Sequence, residues 1–308
     1  MTRAVLITNP AAARTDARAV GAIRDTLRGG GWAVEVQATA KPGDARRFAR
    51  EALERGVDVL VSYGGDGTAM QVAAGIVGRD VPLGVVPGGT GNLLAGNLRL
   101  PYRPAAAARV ILGGRRMRLD LGAVTRDDGE HYFAVCSGAG FDARLMADTP
   151  RAAKRRWKMG AYVVRALAAL PGVHSALHRV TVDGIAYQRR AAMVLIANCG
   201  ELIPPFLRLR DGVVPYDGWL DVLTLEAEGA VESLLAFWEL VRGSMNGAGV
   251  ASRRVWFARG RSVRVETLAG GPRPVQLDGE VVGATPFEAR LLPGALSVLV
   301  DPARVPHG

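Results

Sequence analysis

Three glycines, an aspartate and a threonine close the apolar run Val59-Leu60-Val61-Ser62-Tyr63-Gly64-Gly65-Asp66-Gly67-Thr68. Glycines at a strand-to-helix turn let the backbone approach a phosphate, and the helical pattern that follows from Ala69 offers unpaired N–H groups to it. Asp66 needs a further reason, because a carboxylate beside phosphate is repulsive unless a cation lies between them. Mg²⁺ held by a carboxylate and nucleotide phosphates is the usual arrangement. The stretch reads as a site for a metal–nucleoside triphosphate. It is neither a dinucleotide GxGxxG fingerprint nor a Walker A loop, since no Gly-Lys-Ser/Thr follows. A plain βα turn with Asp66 as a helix cap is the competing reading, but three glycines exceed what a turn requires. A second glycine loop, Pro87-Gly88-Gly89-Thr90-Gly91-Asn92, could alone be ordinary. Two such loops at one sheet edge favour a shared phosphate site.

The elements that must position these loops alternate regularly. Strand-like runs at Ala4–Thr8, Trp32–Ala38, Val57–Tyr63 and Val81–Val86 alternate with helical patterns. Asp16 is placed to cap the first helix, with Val20, Ile23 and Leu27 on one face. Asp44 is placed to cap the second, burying Phe48 and Ala52. The third carries Met70, Ala73 and Ile76 or Val77, and Pro104 opens a later one through Ile111. This pattern predicts an α/β domain with a parallel sheet, its ligands at the carboxyl ends of the strands. From about residue 120 short alternating runs dominate, many separated by Asp-Gly or Pro-Gly turns. They include Arg179–Val182 with Ile185–Gln188, Leu220–Leu225, Ser262–Glu266, Val275–Leu277 with Val281–Val282, and Phe287–Leu291 with Ala295–Val300. Helical segments near 152–170 and 230–243 interrupt them. The expectation is a nucleotide-binding α/β domain over 1–122 and a β-rich antiparallel second domain over 123–308, the extreme C-terminus being free to return to the first.

Composition narrows the partners. Lys+Arg number 39 against 29 Asp+Glu, a net charge of +10, so the surface attracts anions. Nucleic acid, anionic headgroups and phosphorylated small molecules all qualify, but the aromatic-plus-basic clustering of single-strand readers is missing, and no nucleic acid is expected. Cys136 and Cys199 sit in apolar runs and read as small buried hydrophobes. His131, His174, His178 and His307 form no metal motif; Pro171-Gly172 ahead of His174 suggests a loop. A strand-like run begins at Ala4, leaving no room for a signal peptide, and no stretch approaches the ~20 apolar residues of a span. The expected location is cytoplasmic, with any membrane contact peripheral, at the inner face.

The ordered set Asn9-Pro10, Gly64 to Thr68 and Pro87 to Asn92 resembles the signatures of the diacylglycerol kinase catalytic family, which includes soluble bacterial lipid kinases and is related to sphingosine kinases. Gly140-Phe141-Asp142, Lys158–Tyr162, Pro215-Tyr216-Asp217-Gly218-Trp219-Leu220-Asp221 and Leu277-Asp278-Gly279-Glu280 are similar to its later blocks, in order. The glycine-aspartate element is shared with NAD kinases and phosphofructokinases; the ordered set is far more specific. The resemblance implies a fold like NAD kinase and diacylglycerol kinase, ATP as donor, Mg²⁺, a lipid acceptor and an active site between two domains. Asn9, Thr39, Gly64, Gly65, Asp66, Gly67, Thr68, Gly89 and Thr90 would then contact ATP, with Asp66 acting through Mg²⁺. Thr39 fits because it precedes Gly43-Asp44-Ala45 by the family's spacing. Glu280 matches the general base that takes the proton from the lipid hydroxyl, although Asp278-Gly279 alone reads as a hairpin turn, of which Asp183-Gly184 is a structural copy. Asp217 resembles the carboxylate of a second, structural metal site, completed by the carbonyls of Val214 and Trp219. Asp120 falls where the family often has an aspartate at the domain junction.

Two departures stand out. Leu93-Leu94 replaces the family's common Asp-Phe, which leaves the acceptor open, and Ala12-Ala13 replaces a small polar pair. Arg151, Lys154, Arg155 and Lys158 recur at helical spacing and suit either a solvated face or anionic headgroups. The best reading is an ATP- and Mg²⁺-dependent lipid kinase, with diacylglycerol as first acceptor and phosphatidic acid as product. NAD kinase, or a non-catalytic nucleotide-binding regulator on the same fold, is the alternative. Oligomeric state, a homodimer included, is left open.

Overall fold

The computed structural model describes the chain apart from residues 141–172, 204–206, 210–211, 246–252, 302 and 306–308. It divides into two units: Met1–Asp120 joined by the stretch from Pro293, and Leu121–Leu292. In chain order the first elements are β1 (Arg3–Thr8), α1 (Ala17–Gly29), β2 (Ala33–Ala38), α2 (Asp44–Glu54), β3 (Val59–Gly64), α3 (Asp66–Ile76) and β4 (Leu83–Pro87). Then come α4 (Leu93–Asn97), α5 (Pro104–Gly113), β5 (Arg115–Arg126), β6 (Gly129–Phe133) and β7 (Cys136–Gly140). Past the undescribed stretch lie β8 (Ala176–Val182), β9 (Ile185–Ala191), β10 (Met193–Ala197), β11 (Glu201–Ile203), β12 (Leu207–Arg208), β13 (Leu220–Leu225) and α6 (Gly229–Met245). The last are β14 (Val255–Gly260), β15 (Ser262–Thr267), β16 (Pro274–Leu277), β17 (Glu280–Ala284) and β18 (Phe287–Val300).

In the first unit β2, β1, β3 and β4 pair side by side in parallel, and Val298 of β18 continues the sheet beside Leu83. Parallel pairing puts Thr8, Tyr63 and Val86 level, so the chain leaves all three strands at one edge. Ile23 and Leu27 of α1, one turn apart, are fully buried with Ala107, Ala108 and Ile111 of α5 against Leu6, Val61, Tyr63 and Val86. Burying each large side chain contributes about 1.5–3 kcal/mol. Asp16 caps α1 as its spacing predicted, accepting the Ala19 N–H at 2.7 Å.

Three local expectations need correction. Asp44 does not cap α2: Gly43, at φ +87°, is the cap, and the Asp44 carboxylate turns back to the N–H groups of Ala40 and Lys41. Phe48 is only half-buried, under the Arg47 guanidinium, while Ala45, Ala49 and Ala52 form the packed face. Helix α3 starts at Asp66 rather than Ala69, so the acidic residue lies in its first turn.

The second unit is an antiparallel sandwich. One sheet runs β18, β15, β8, β9; the other runs β14, β13, β10, β7, β16, β17. The alternating side chains converge on one core that includes Phe133, Val180, Val194, Ile196, Leu220, Val222, Val263, Val265 and Phe287. A turn was expected between Phe287–Leu291 and Ala295–Val300, but β18 is one strand. The reason is lateral bonding: at Gly294, φ +57°, the N–H goes to the Asp120 carboxylate at 2.7 Å and the carbonyl takes Arg118, so no turn closes. His178 is in β8 and buried, not in a loop. Cys136 and Cys199 are buried, as their apolar runs suggested, and burial pushes the Cys199 thiol well up. The segment near 152–170, with its basic positions, lies outside the described residues, as do Phe141-Asp142 and Lys158–Tyr162.

Candidate active site

At the strand edge of the first unit, β1 ends in Thr8 and hands the chain to Asn9. The Asn9 N–H donates to the Tyr63 carbonyl at 3.0 Å, and its side-chain amide reaches the Thr68 hydroxyl at 3.2 Å. Thr39, just past β2, is tied to the same edge through its N–H to the Thr8 carbonyl at 2.9 Å. Asn9, Thr39 and Thr68 thus gather on one rim.

The two glycine loops meet backbone to backbone. The Gly88 N–H donates to the Gly64 carbonyl at 2.7 Å. A Cβ added at Gly89 would stand 2.5 Å from the Gly65 Cα, and one at Gly64 would stand 2.6 Å from the Thr68 hydroxyl. Only glycine permits this approach. Asn92, in the left-handed region at φ 51°, holds the second loop by a reciprocal pair with Gly89: N–H to Oδ1 at 2.8 Å, and Nδ2 to the carbonyl at 2.9 Å. Thr90 lies half-buried inside that clasp.

Asp66 stands where the loops converge. Its Oδ1 accepts the Leu94 N–H at 3.2 Å, and a Cβ at Gly91 would come within 3.1 Å of its Oδ2. Burial pushes its carboxyl up, against the opposing pull of the Leu94, Leu93 and Asn92 N–H groups. A nearby cation would restore the charged form. Gly65, the cap of α3, brings no side chain to the helix N-terminus, so no side chain caps the first turn, although the Thr68 N–H donates to the Gly65 carbonyl at 3.0 Å. One half-buried carboxylate beside a side-chain-free cradle suits Mg²⁺, which takes most of its ligands from phosphate and water. Among the described residues no three His, Cys, Asp or Glu side chains cluster as a protein-only metal site. The short helix α4 and its N–H bonds to Asp66 escaped the sequence reading. Asn92 before Leu93-Leu94 was the available signal, masked by the glycines around it.

In the second unit Glu280 is the first residue of β17 and is exposed. Leu277 pairs with Glu280 across Asp278 and Gly279, both at positive φ (45° and 87°), a type I′ hairpin. The Asp217 carboxylate accepts the Trp219 N–H at 3.0 Å and faces the Arg259 guanidinium at 3.3 Å. That guanidinium also binds Asp221 through both oxygens, at 3.2 and 2.8 Å. The Val214 carbonyl accepts the Tyr216 N–H at 2.8 Å. The Asp217 carboxylate and the Val214 carbonyl are therefore already engaged within the protein, and the positive neighbour of Asp217 is an arginine. Asp120 is buried on Gly294.

The family model of the diacylglycerol kinase catalytic domain matches residues 3–124, and that of the YegS C-terminal NAD kinase beta sandwich-like domain matches residues 135–300. A diacylglycerol kinase of Mycobacterium tuberculosis (strain H37Rv) is 30% identical over 262 residues, covering 83% of this chain and 81% of its own. The chain belongs to the diacylglycerol kinase family. A Stenotrophomonas maltophilia protein named "Probable lipid kinase YegS-like" is 30% identical over 283 residues, covering 88% of this chain and 89% of its own. A solved diacylglycerol kinase structure from Bacillus anthracis str. Sterne superposes with a TM-score of 0.74 at 21% identity, over 98% of this chain and 97% of that one; that likeness concerns the fold. Family membership makes this kinase a phosphotransferase of the lipid kinase group. The parallel α/β unit and the antiparallel β-rich unit are those the strand grammar predicts, the second being a sandwich.

Proposed function

We propose that this kinase transfers the terminal phosphoryl of ATP to a lipid hydroxyl, with diacylglycerol the first acceptor and phosphatidic acid the product. The observation that carries the reading is the meeting of Gly64-Gly65 with Gly88-Gly89 around half-buried Asp66, at a helix N-terminus free of a capping side chain. Backbone N–H groups there suit phosphate oxygens, while Asn9, Thr39, Thr68 and Thr90 suit the rest of the nucleotide. Mg²⁺, when bound, would offset charge between Asp66 and the phosphates. Glu280 would accept the proton of the lipid hydroxyl as the new phosphorus–oxygen bond forms and the bond to ADP breaks. No step is assigned to Asp217, Val214 and Trp219, because the Arg259 guanidinium, shared with Asp221, already stands against that carboxylate. Any Mg²⁺ there would compete with the guanidinium.

Docking on the inner face of the membrane belongs to the same proposal. Among the described residues no helix is long and apolar enough to cross a membrane. Helix α6 supports peripheral contact through an exposed apolar stripe. Among its described side chains, small Ser233 and Ala236 are buried (7% and 0% exposed), while Val231, Leu234, Leu235 and Trp238 are exposed at 71%, 45%, 48% and 61%. These four recur at i, i+3, i+4 and i+7, with exposed Arg242 beyond them. An exposed apolar stripe bearing tryptophan suits a headgroup boundary, and the chain's net charge of +10 suits anionic lipid.

The decisive experiment supplies labelled ATP and Mg²⁺ with a total lipid extract, and NAD in a parallel reaction, then identifies the labelled product. Label in phosphatidic acid is expected. Label in NADP alone would transfer the function to nucleotide phosphorylation, and ATP binding without turnover on either would indicate a regulator.

A further inference from the structure

We propose that Asp278 is a positioning residue that aims Glu280, a role resting on the reading of Glu280 as the base. A two-residue hairpin tip ordinarily projects into solvent and moves freely. This one is tied down on both sides. The Asp278 carboxylate accepts three successive backbone N–H groups, from Ala134 at 2.7 Å and from Val135 and Cys136 at 2.9 Å each. Its own N–H donates to the Cys136 carbonyl at 2.9 Å, and the Gly279 N–H donates to the buried Gln276 Oε1 at 2.7 Å.

The bend that receives Asp278 is itself rigid. The Ala134 carbonyl accepts the Asn198 side-chain amide at 2.8 Å and the Cys199 thiol at 3.2 Å. The Val135 carbonyl accepts the Asn198 and Cys199 N–H groups at 2.8 and 3.1 Å. Ala134, Val135, Asn198 and Cys199 are all essentially inaccessible. Three consecutive N–H groups converging on one carboxylate form an anion-binding concavity, here filled by a side chain two residues before Glu280. The distance from anchor to Glu280 is short in sequence, so the tip has little freedom to swing.

The molecule contains its own control. Asp183-Gly184 makes the same type I′ turn, φ 47° and 84°, and its carboxylate accepts the Arg261 and Ser262 N–H groups at 2.9 and 2.8 Å. Two residues on stands Ile185, 61% exposed, which has no chemistry to aim. If the Asp278 anchor served stability alone, the two turns would be equivalent.

The test compares Asp278→Asn with Asp183→Asn, alone and with Glu280→Gln, in the full chain with ATP, Mg²⁺ and diacylglycerol. Asparagine keeps the turn, since Asn-Gly is a preferred type I′ pair, and converts only one acceptor oxygen into a donor facing an N–H. D278N is expected to lower kcat by about 100-fold with KM for ATP unchanged, the scale of a 1 Å misplacement of a reacting group. D183N is expected to lower Tm comparably while kcat stays within about twofold, and D278N on the E280Q background is expected to add less than about threefold, because aim no longer matters. D278N within twofold of wild type while E280Q is inactive would reduce Asp278 to a turn clamp. Full activity in E280Q would instead overturn the base reading and this proposal with it. Should D278N fail to fold, Gln276→Met removes the other tie and takes its place with the same expected outcomes.

Discussion

Asp66 and Glu280 occupy opposite situations for two carboxylates of one proposed reaction. Asp66 is half-buried beside backbone N–H groups and pushed toward its neutral form by desolvation, whereas Glu280 is exposed at a hairpin tip. Asp66→Asn is expected to cut kcat by about 10²- to 10³-fold, as for loss of a transition-state charge stabiliser. Glu280→Gln is expected to cost about 10²- to 10⁴-fold with KM for ATP little changed. Steady-state kinetics on a soluble diacylglycerol checks both, and near-wild-type turnover in either variant would remove that residue's role. Arg259 poses a different question. Its guanidinium serves Asp217 and buried Asp221 together, so Arg259→Met leaves two neighbouring acids and is expected to cost about 3 kcal/mol of stability. If the Asp217 site can take a cation at all, millimolar Mg²⁺ should recover part of that Tm loss in the variant and little in wild type. A response to Mg²⁺ confined to wild type would contradict this.

Among the elements, α2 and α6 make the sharpest predictions. Asp44 is held down to about 2 by the Ala40 and Lys41 N–H groups and then by Arg47, against the ordinary 3.8. A carboxyl depressed on folding adds stability above its unfolded value and loses it as pH falls through the folded one. The Tm gap between wild type and Asp44→Asn should therefore be full above pH 4 and close between about pH 4 and 2. A gap independent of pH would refute the anchor. For α6, the double variant Leu235→Glu, Trp238→Glu changes exposed positions only, so folding should persist. Sedimentation with anionic vesicles should fall at least about tenfold while activity on detergent-dispersed lipid stays. Unchanged vesicle binding, or a shift from dimer to monomer instead, would assign the stripe to another partner. The strands were legible in the sequence because alternation maps directly onto a half-buried sheet, as Leu220–Leu225 illustrates. The glycine loops were legible because glycine content has few other uses. What stayed hidden depended on contacts distant in sequence: the Leu94 N–H on Asp66, the Arg259 fork on two aspartates, and the 134–136 bend that receives Asp278.

At the scale of the whole molecule, the two units are entangled along the chain. β5 begins in the first unit and ends in the second, and β18 runs the other way, with Gly294 bonded to Asp120 at the crossing. A fragment of residues 1–120 lacks the strand whose Val298 pairs with Leu83 and whose Leu299 joins the core of Leu6 and Val61. That fragment is expected to be insoluble or to bind no ATP. A synthetic peptide spanning residues 290–305 should restore both if the strand alone is missing, as gel filtration and nucleotide binding would report. Recovery without the peptide would mean that β18 is dispensable to the first unit.

Because that strand is supplied so late, a ribosome has to translate past Pro293 before the glycine loops can rest on a finished sheet. The half of the protein made first is thus completed last, and a nascent chain stalled anywhere in the sandwich carries an unsealed nucleotide half.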